Sequence, residues 1–166
     1  MRRREAHMEE HVHWMEMALE QARQAAREGE VPVGAVLVRD GQVIATGHNR
    51  REQHGDPLAH AEVEAIRYAV ARDGRDRGWR LDGSSMYVTL EPCAMCAGAL
   101  VAARVEALIF ATEDAKSGYC GSLGNLVQDP RLNHRMSVLA GVGREQSREL
   151  LSTFFEQLRA RKKGNG

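Results

Sequence analysis

Residues 85–111 constrain the fold more than any other part of this sequence. Ser85, Met86, Tyr87, Val88, Thr89 and Leu90 read as a strand over about 85–90, and Glu91-Pro92 ends it. A helix is expected over about 92–103, and Val105, Ala107, Leu108, Ile109 and Phe110 read as a second strand over 105–111. A strand, a helix and a strand in that order imply a parallel pair joined by a right-handed crossover. The chain must therefore build a sheet with helices packed on it rather than a helical bundle or an all-β sandwich.

The flanking segments fit that core. Met8, Val12, Met15, Leu19, Ala22 and Ala26 recur at three- and four-residue steps, which predicts a helix over 7–28 stopped by Gly29. Val36 and Val38, then Val43 and Ala45, flank Asp40-Gly41 and predict a hairpin over 33–47. A second helix is expected over 57–72, with Asp56 as N-cap and Pro57 in its first position. The 112–135 stretch is long, polar and glycine-rich, and a loop of that length in a small domain is usually functional or disordered. A short strand near 136–141 and a helix over 144–161 complete an α/β chain: a mixed sheet opened by a hairpin, with helices on both faces.

The 166 residues suggest a single domain, long enough to bury a real core without disulfides. Lys+Arg and Asp+Glu are both 23, so the net charge is +0, which argues against a generally basic nucleic-acid binder. The total hides a division: residues 1–4 and 144–166 each carry +3, and the body between them −6. Only three of the basic residues are Lys; the rest are Arg, the better side chain for phosphate forks and base stacking, although a compositional bias gives the same count. There is no apolar run of membrane-spanning length, and no apolar stretch follows Arg2–Arg4 as a secretory signal requires. Three Cys are too few and too unevenly placed for a disulfide framework, so a cytoplasmic protein with reduced thiols is expected.

The chemistry concentrates in two short motifs. His60-Ala61-Glu62 lies near the start of the second helix, and Pro92-Cys93-Ala94-Met95-Cys96 at the start of the third. Cys93 and Cys96 are three apart and share a face on a helix. Two thiolates and one imidazole suit Zn²⁺ and leave its fourth position open for water, as a catalytic rather than a structural site requires. A helix N-terminus favours thiolate over thiol. Glu62 is not needed as a ligand and is the natural proton carrier for the water. One tension stands: residues two apart on an ideal helix point in nearly opposite directions, so His60 and Glu62 reach one site only at the helix end or through an irregular first turn. C-x-x-C alone would equally suit a redox pair or half of a structural zinc site. In this order, with Pro before the first Cys, the two motifs match the zinc deaminase signature.

On these motifs the chain resembles the bacterial tRNA-specific adenosine deaminases, of the cytidine/deoxycytidylate deaminase-like zinc deaminase superfamily, over about residues 10–160. Further matching stretches are Val31-Pro32-Val33-Gly34-Ala35-Val36-Leu37-Val38, Asn49, Asp56-Pro57, Tyr87-Val88-Thr89-Leu90-Glu91-Pro92, Met95-Cys96-Ala97-Gly98-Ala99, Asp114-Ala115-Lys116, Asn133-His134-Arg135 and Phe154-Phe155. The resemblance implies a three-layer α/β/α sandwich on a five-stranded mixed sheet, with one deaminase domain over 7–161 and flexible basic tails at 1–6 and 162–166. It implies one Zn²⁺ per subunit on His60, Cys93 and Cys96. It further implies a hydrolase acting on the C–N bond of a cyclic amidine, in which zinc-bound hydroxide attacks C6 of a flipped adenine and Glu62 shuttles the proton. Asn49, Ala61, Asp114, Lys116 and Phe155 would then bind the substrate. The expected reaction is adenosine to inosine at the wobble position of a tRNA anticodon, most readily an arginine tRNA, by a homodimer that binds the anticodon stem-loop. The alternative on the same fold is a deaminase of free guanine, cytosine or another small nucleobase.

Some features depart from the family pattern or stand outside it. Leu58 replaces a common Thr, residues 73–83 look a few residues longer, and Tyr119-Cys120 replaces smaller residues. Cys120 is expected as a free loop thiol, His7 and His11 as parts of a polar helix start, Trp14 in the core or an interface, and Trp79 near the surface. Arg159, Arg161, Lys162 and Lys163 either hold the anticodon stem through its phosphates or are a solvated helix end with cations placed well for the dipole.

Overall fold

Strict alternation along three strands divides the interior into two layers. In β1 (Gly34–Arg39), Ala35 and Leu37 face one side, and Val36 and Val38 the other. In β3 (Ser84–Leu90), Met86 and Val88 oppose Tyr87, and in β4 (Ala107–Thr112) Leu108 and Phe110 oppose Ile109 and Ala111. Successive strand side chains point to opposite faces, so each of these strands feeds two cores. The computed structural model describes residues 2–165, with side chains described at 4–73 and 77–165. β2 (Gln42–His48) and β5 (Ser137–Ala140) complete the sheet, whose order is β2-β1-β3-β4-β5. β1 is antiparallel to both β2 and β3, whereas β3, β4 and β5 run parallel.

Helices α1 (Arg2–Arg27) and α5 (Arg144–Gly164) cover the face bearing Val36, Tyr87 and Ile109, where Met15, Ala18 and Leu19 are buried. Helices α3 (Ala61–Arg77) and α4 (Ala94–Ala103) cover the other, where Ala61, Ala65, Ala69, Ala97 and Leu100 are buried. The three-layer α/β/α sandwich on a five-stranded mixed sheet expected from the sequence is therefore present. The β3–α4–β4 unit supplies the parallel pair, and the hairpin turns at Asp40 (φ 53°) and Gly41 (φ 68°), the paired positive φ values of a type I′ turn. No helix among the described residues is long and apolar enough to cross a membrane.

Several boundaries differ from the expectation, each for a local reason. The second long helix starts at Ala61 rather than Pro57, because the Asp56 carboxylate accepts the Leu58 N–H at 2.8 Å and folds residues 56–60 into a turn. His60, not Asp56, is its N-cap, in extended conformation. α4 likewise starts two residues later than expected, after Cys93. A short helix, α2 (Arg51–His54), lies where no element was expected, with the buried Glu30 carboxylate accepting the N–H groups of Glu52 and Gln53 at its start. Helices α1 and α5 extend through residues 2–6 and 162–164, where Arg, Glu, Ala and Lys favour helix and no Gly or Pro intervenes before Gly164. Met1 and Gly166 lie outside the described residues, as do the side chains of Arg2 and Arg3.

Close backbone contact sets the height of α3 over the sheet. A Cβ added to Gly47 in β2 would lie 2.3 Å from the Ala61 carbonyl oxygen and 2.7 Å from the Ala65 nitrogen. Only a residue without a side chain lets the start of α3, and with it His60, come this close to β2. Gly47→Ala is expected to destabilise the protein by about 3 kcal/mol through forced backbone displacement, read as a lowered Tm. An unchanged Tm would mean that α3 can lift away from β2 freely.

Candidate active site

Six segments converge near the ends of β2, β3 and β4 that carry His48, Leu90 and Thr112, around a cavity of about 560 Å³. That is within the range of small-molecule pockets. Asn49, His60, Ala61, Glu62, Cys93, Asp114, Lys116 and Phe155 all line it, and Cys96 is buried behind Cys93. All nine residues singled out in the sequence thus lie at one place, although His60 and Cys93 are 33 positions apart in the chain.

His60 and Cys93 share one local solution. Each is the residue immediately before a helix, in extended conformation, at φ −78°, ψ 154° and φ −70°, ψ 175°. Each uses its backbone carbonyl to open the helix, accepting from Glu64 and Ala97 respectively, so neither side chain is needed as a cap. This removes the tension over His60 and Glu62, since only Glu62 has helical geometry and the two are free to meet.

His60 Nδ1 lies 3.7 Å from Cys93 Sγ and 3.6 Å from Cys96 Sγ, and the three donor atoms fall within 4.8 Å of one another. Tetrahedral zinc, with bonds of about 2.3 Å to sulfur and about 2.0–2.1 Å to nitrogen, places S and N about 3.6 Å apart. The residues present fit that ion. Hydrogen bonding from Cys96, then from His60, pulls the Cys93 thiol down to about 4, whereas Cys96 is pushed up by sharing that bond with Cys93 and by burial. Its hydrogen bond with Cys93 raises His60. Two sulfurs and an imidazole competing for protons are the kind of donor set from which a dication displaces protons.

Glu62 is 4 % exposed, and burial pushes its carboxyl up to about 7, with the Cys93 charge adding to the rise and its own N–H and His60 opposing it. A group poised there takes up and releases a proton near neutral pH. Asn49 closes the far wall: its Oδ1 accepts the Arg51 N–H at 3.2 Å. Phe155 is 39 % exposed and packs edge-on against Phe154, with ring centroids 5.4 Å apart.

Sequence reasoning missed other residues of this cavity. Arg51 and Glu113 stand in its wall, and Arg144, with Arg148 further off, pairs with Glu113. Arg51 could have been suspected as the cation two residues after Asn49, but no local signal marks Glu113. Glu91 is 3 % exposed; burial would raise its carboxyl, but donors from Ser122, Asp114 and Cys120 outweigh that and hold it below the ordinary value. Cys120 is a free, buried thiol, pushed up to about 12 by burial. His11 bonds the Tyr87 hydroxyl at 2.9 Å on the opposite face of the sheet. Trp14 packs against the α1 side of the core, and Trp79 lies at the surface with the guanidinium groups of Arg80 and Arg104 5.6 and 5.8 Å from its ring centroid. The basic side chains at 159–163 are exposed.

Comparison with known proteins gives a consistent picture. The model of the MafB19-like deaminase family matches residues 9–159. The chain is 47% identical over 150 residues to the tRNA-specific adenosine deaminase of Bacillus subtilis (strain 168), covering 90% of this chain and 91% of that protein. It is 43% identical over 152 residues to the protein of the same name from Agrobacterium fabrum, covering 92% and 98%. Among solved structures, one from studies of A-to-I editing by tRNA:A34 deaminases at the wobble position of transfer RNA superposes with a TM-score of 0.79 at 42% identity, covering 84% of this chain and 99% of that one. A guanine deaminase from Bacillus subtilis superposes with a TM-score of 0.56 at 40% identity, covering 60% and 62%.

Proposed function

The chain belongs to the tRNA-specific adenosine deaminase family, and from that premise we propose that it converts adenosine to inosine at the wobble position of a tRNA anticodon, an arginine tRNA being the expected substrate. One observation carries the chemistry. A buried carboxylate, Glu62, shares a cavity large enough for a purine with a His/Cys/Cys set whose spacing suits zinc. His60, Cys93 and Cys96 would hold one Zn²⁺ per subunit, which when bound lowers the pKa of water and supplies a nucleophile at neutral pH.

The chain's own residues do the rest. Glu62 takes the proton from the attacking water and delivers it to N1 of the purine as the C6–O bond forms; it then takes the proton of the new C6 hydroxyl and passes it to the C6 amino group, so that the C6–N bond breaks, ammonia leaves and the C6 carbonyl forms. Its burial excludes bulk water and keeps both protonation states accessible. Ala61 adds little bulk to the cavity wall and Leu90 gives it an uncharged, apolar surface for the base. The Asn49 amide orients the flipped nucleotide, Phe155 offers a face or edge for stacking, and Arg51 and Lys116 meet phosphate at the mouth. An anticodon base is already unpaired, so extruding it costs little. Arg159, Arg161, Lys162 and Lys163 extend this positive surface along α5 toward the stem. A cytoplasmic homodimer is the expected working form.

Incubation with an anticodon stem-loop, followed by sequencing or mass analysis of the wobble base, tests this directly. Inosine is expected at that position alone. The guanine deaminase likeness defines the competing outcome, in which turnover of free bases only would overturn the RNA reading.

A further inference from the structure

We propose that Glu91 is a positioning residue whose buried carboxylate latches the segment after β4 against the cavity and so sets where Asp114 and Lys116 meet the RNA. This rests on the RNA-deaminase reading above. Glu91 follows β3, and its N–H donates to the Thr112 carbonyl at 2.8 Å, tying the ends of β3 and β4 together. Its Oε2 accepts the Asp114 N–H at 2.9 Å and the Ser122 hydroxyl at 2.5 Å. Its Oε1 accepts the N–H groups of Cys120 at 3.0 Å and Ser122 at 2.9 Å. No cation pairs with it among the described residues, so its charge is met by the loop's own donors.

Two further features point the same way. A Cβ on Gly118 would lie 2.3 Å from the Glu91 carboxylate and 2.6 Å from the Asp114 carbonyl oxygen, so the loop can close over Glu91 only because residue 118 has no side chain. Asp114, held by Glu91 through its N–H, uses its own Oδ1 to accept the N–H groups of Lys116 at 3.0 Å and Ser117 at 3.2 Å. The order of support therefore runs from the sheet to Glu91, to Asp114, to the backbone of Lys116. The 24 residues between β4 and β5 contain no regular element; the later part is held by buried Val127 and Met136 and by backbone bonds such as Met136 N–H to the Val127 carbonyl, whereas in the earlier part Glu91 takes up the N–H groups of Asp114, Cys120 and Ser122.

Glu91→Gln breaks this latch at a definable point. The glutamine carbonyl can keep the N–H groups of Cys120 and Ser122, but its amide then faces the Asp114 N–H, donor against donor. KM for an anticodon stem-loop should rise about tenfold or more, kcat should fall by less, and zinc content should hold. Tryptic cleavage after Lys116, mapped by mass spectrometry, should accelerate more than cleavage after Arg131. Ser122→Ala removes one donor and should shift KM and Lys116 cleavage in the same direction but less, and it carries the test should Glu91→Gln fail to fold. A fall in kcat at unchanged KM, loss of zinc, or uniformly faster proteolysis would overturn the latch. Failure of the parent protein to deaminate the stem-loop would overturn the functional reading instead, while protease mapping would still report on the latch.

Discussion

Glu62→Gln is expected to lower deamination by about 10²-fold to 10⁴-fold or more while leaving the metal content of the purified protein unchanged. The two parts of the outcome come from separate features. Glu62 lines the cavity, and the His60, Cys93 and Cys96 donor atoms gather without it. Glutamine keeps the volume of the side chain, so the packing around Ala61, Ala65 and α4 should survive. What disappears is a carboxyl that burial has pushed up to about 7. An amide can neither accept the water proton nor return one to the leaving group. Single-turnover rates on an anticodon stem-loop, with elemental analysis of the same preparation, would check this. A variant as active as the parent would remove Glu62 from the chemistry.

The second large effect is expected at Cys93. Cys93→Ala should lose most of its zinc and, with it, the activity, at little cost to the fold. The physical reason is the division of labour at this residue. Its backbone carbonyl starts α4 by accepting the Ala97 N–H, and its thiol takes no part in capping. Alanine preserves the first of these and removes only a ligand. Metal quantification together with circular dichroism and Tm in metal-free buffer separates the two. Full zinc occupancy in Cys93→Ala would take Cys93 out of the ligand set, whereas loss of secondary structure would show that the thiol has a structural role.

The architecture was legible wherever short-range chemistry decides it. The strands β1, β3 and β4 appear in the sequence as the unbroken apolar runs Val-Leu-Val, Met-Tyr-Val and Leu-Ile-Phe, as strands covered on both faces do, and Asp40-Gly41 announces its turn. Asp56-Pro57 has the composition of a helix N-terminus, yet α3 starts only at Ala61. Only the bond from the Leu58 N–H to the Asp56 carboxylate shows that an Asx turn has won the competition. The basic character of α5 was plain, but the pairing of Arg144 with Glu113 was not, because 31 positions of chain separate them.

The candidate site divides along the same line. Residue types and local spacing pointed to the proposed ligand set, the proposed proton carrier and the class of chemistry, because metal preference depends on which atoms are offered; the raised carboxyl of Glu62 depends on burial and so on the fold. Tertiary structure decided that His60 and Cys93 are both extended residues at the mouths of helices, which brings an imidazole and two sulfurs within 4.8 Å of one another. It also decided the role of Glu91, which the sequence marks only as part of a matching stretch: its carboxylate holds the wall that carries Asp114 and Lys116. Both depend on which strands lie side by side and in what register, since contacts between residues tens of positions apart form only when the whole sheet has assembled.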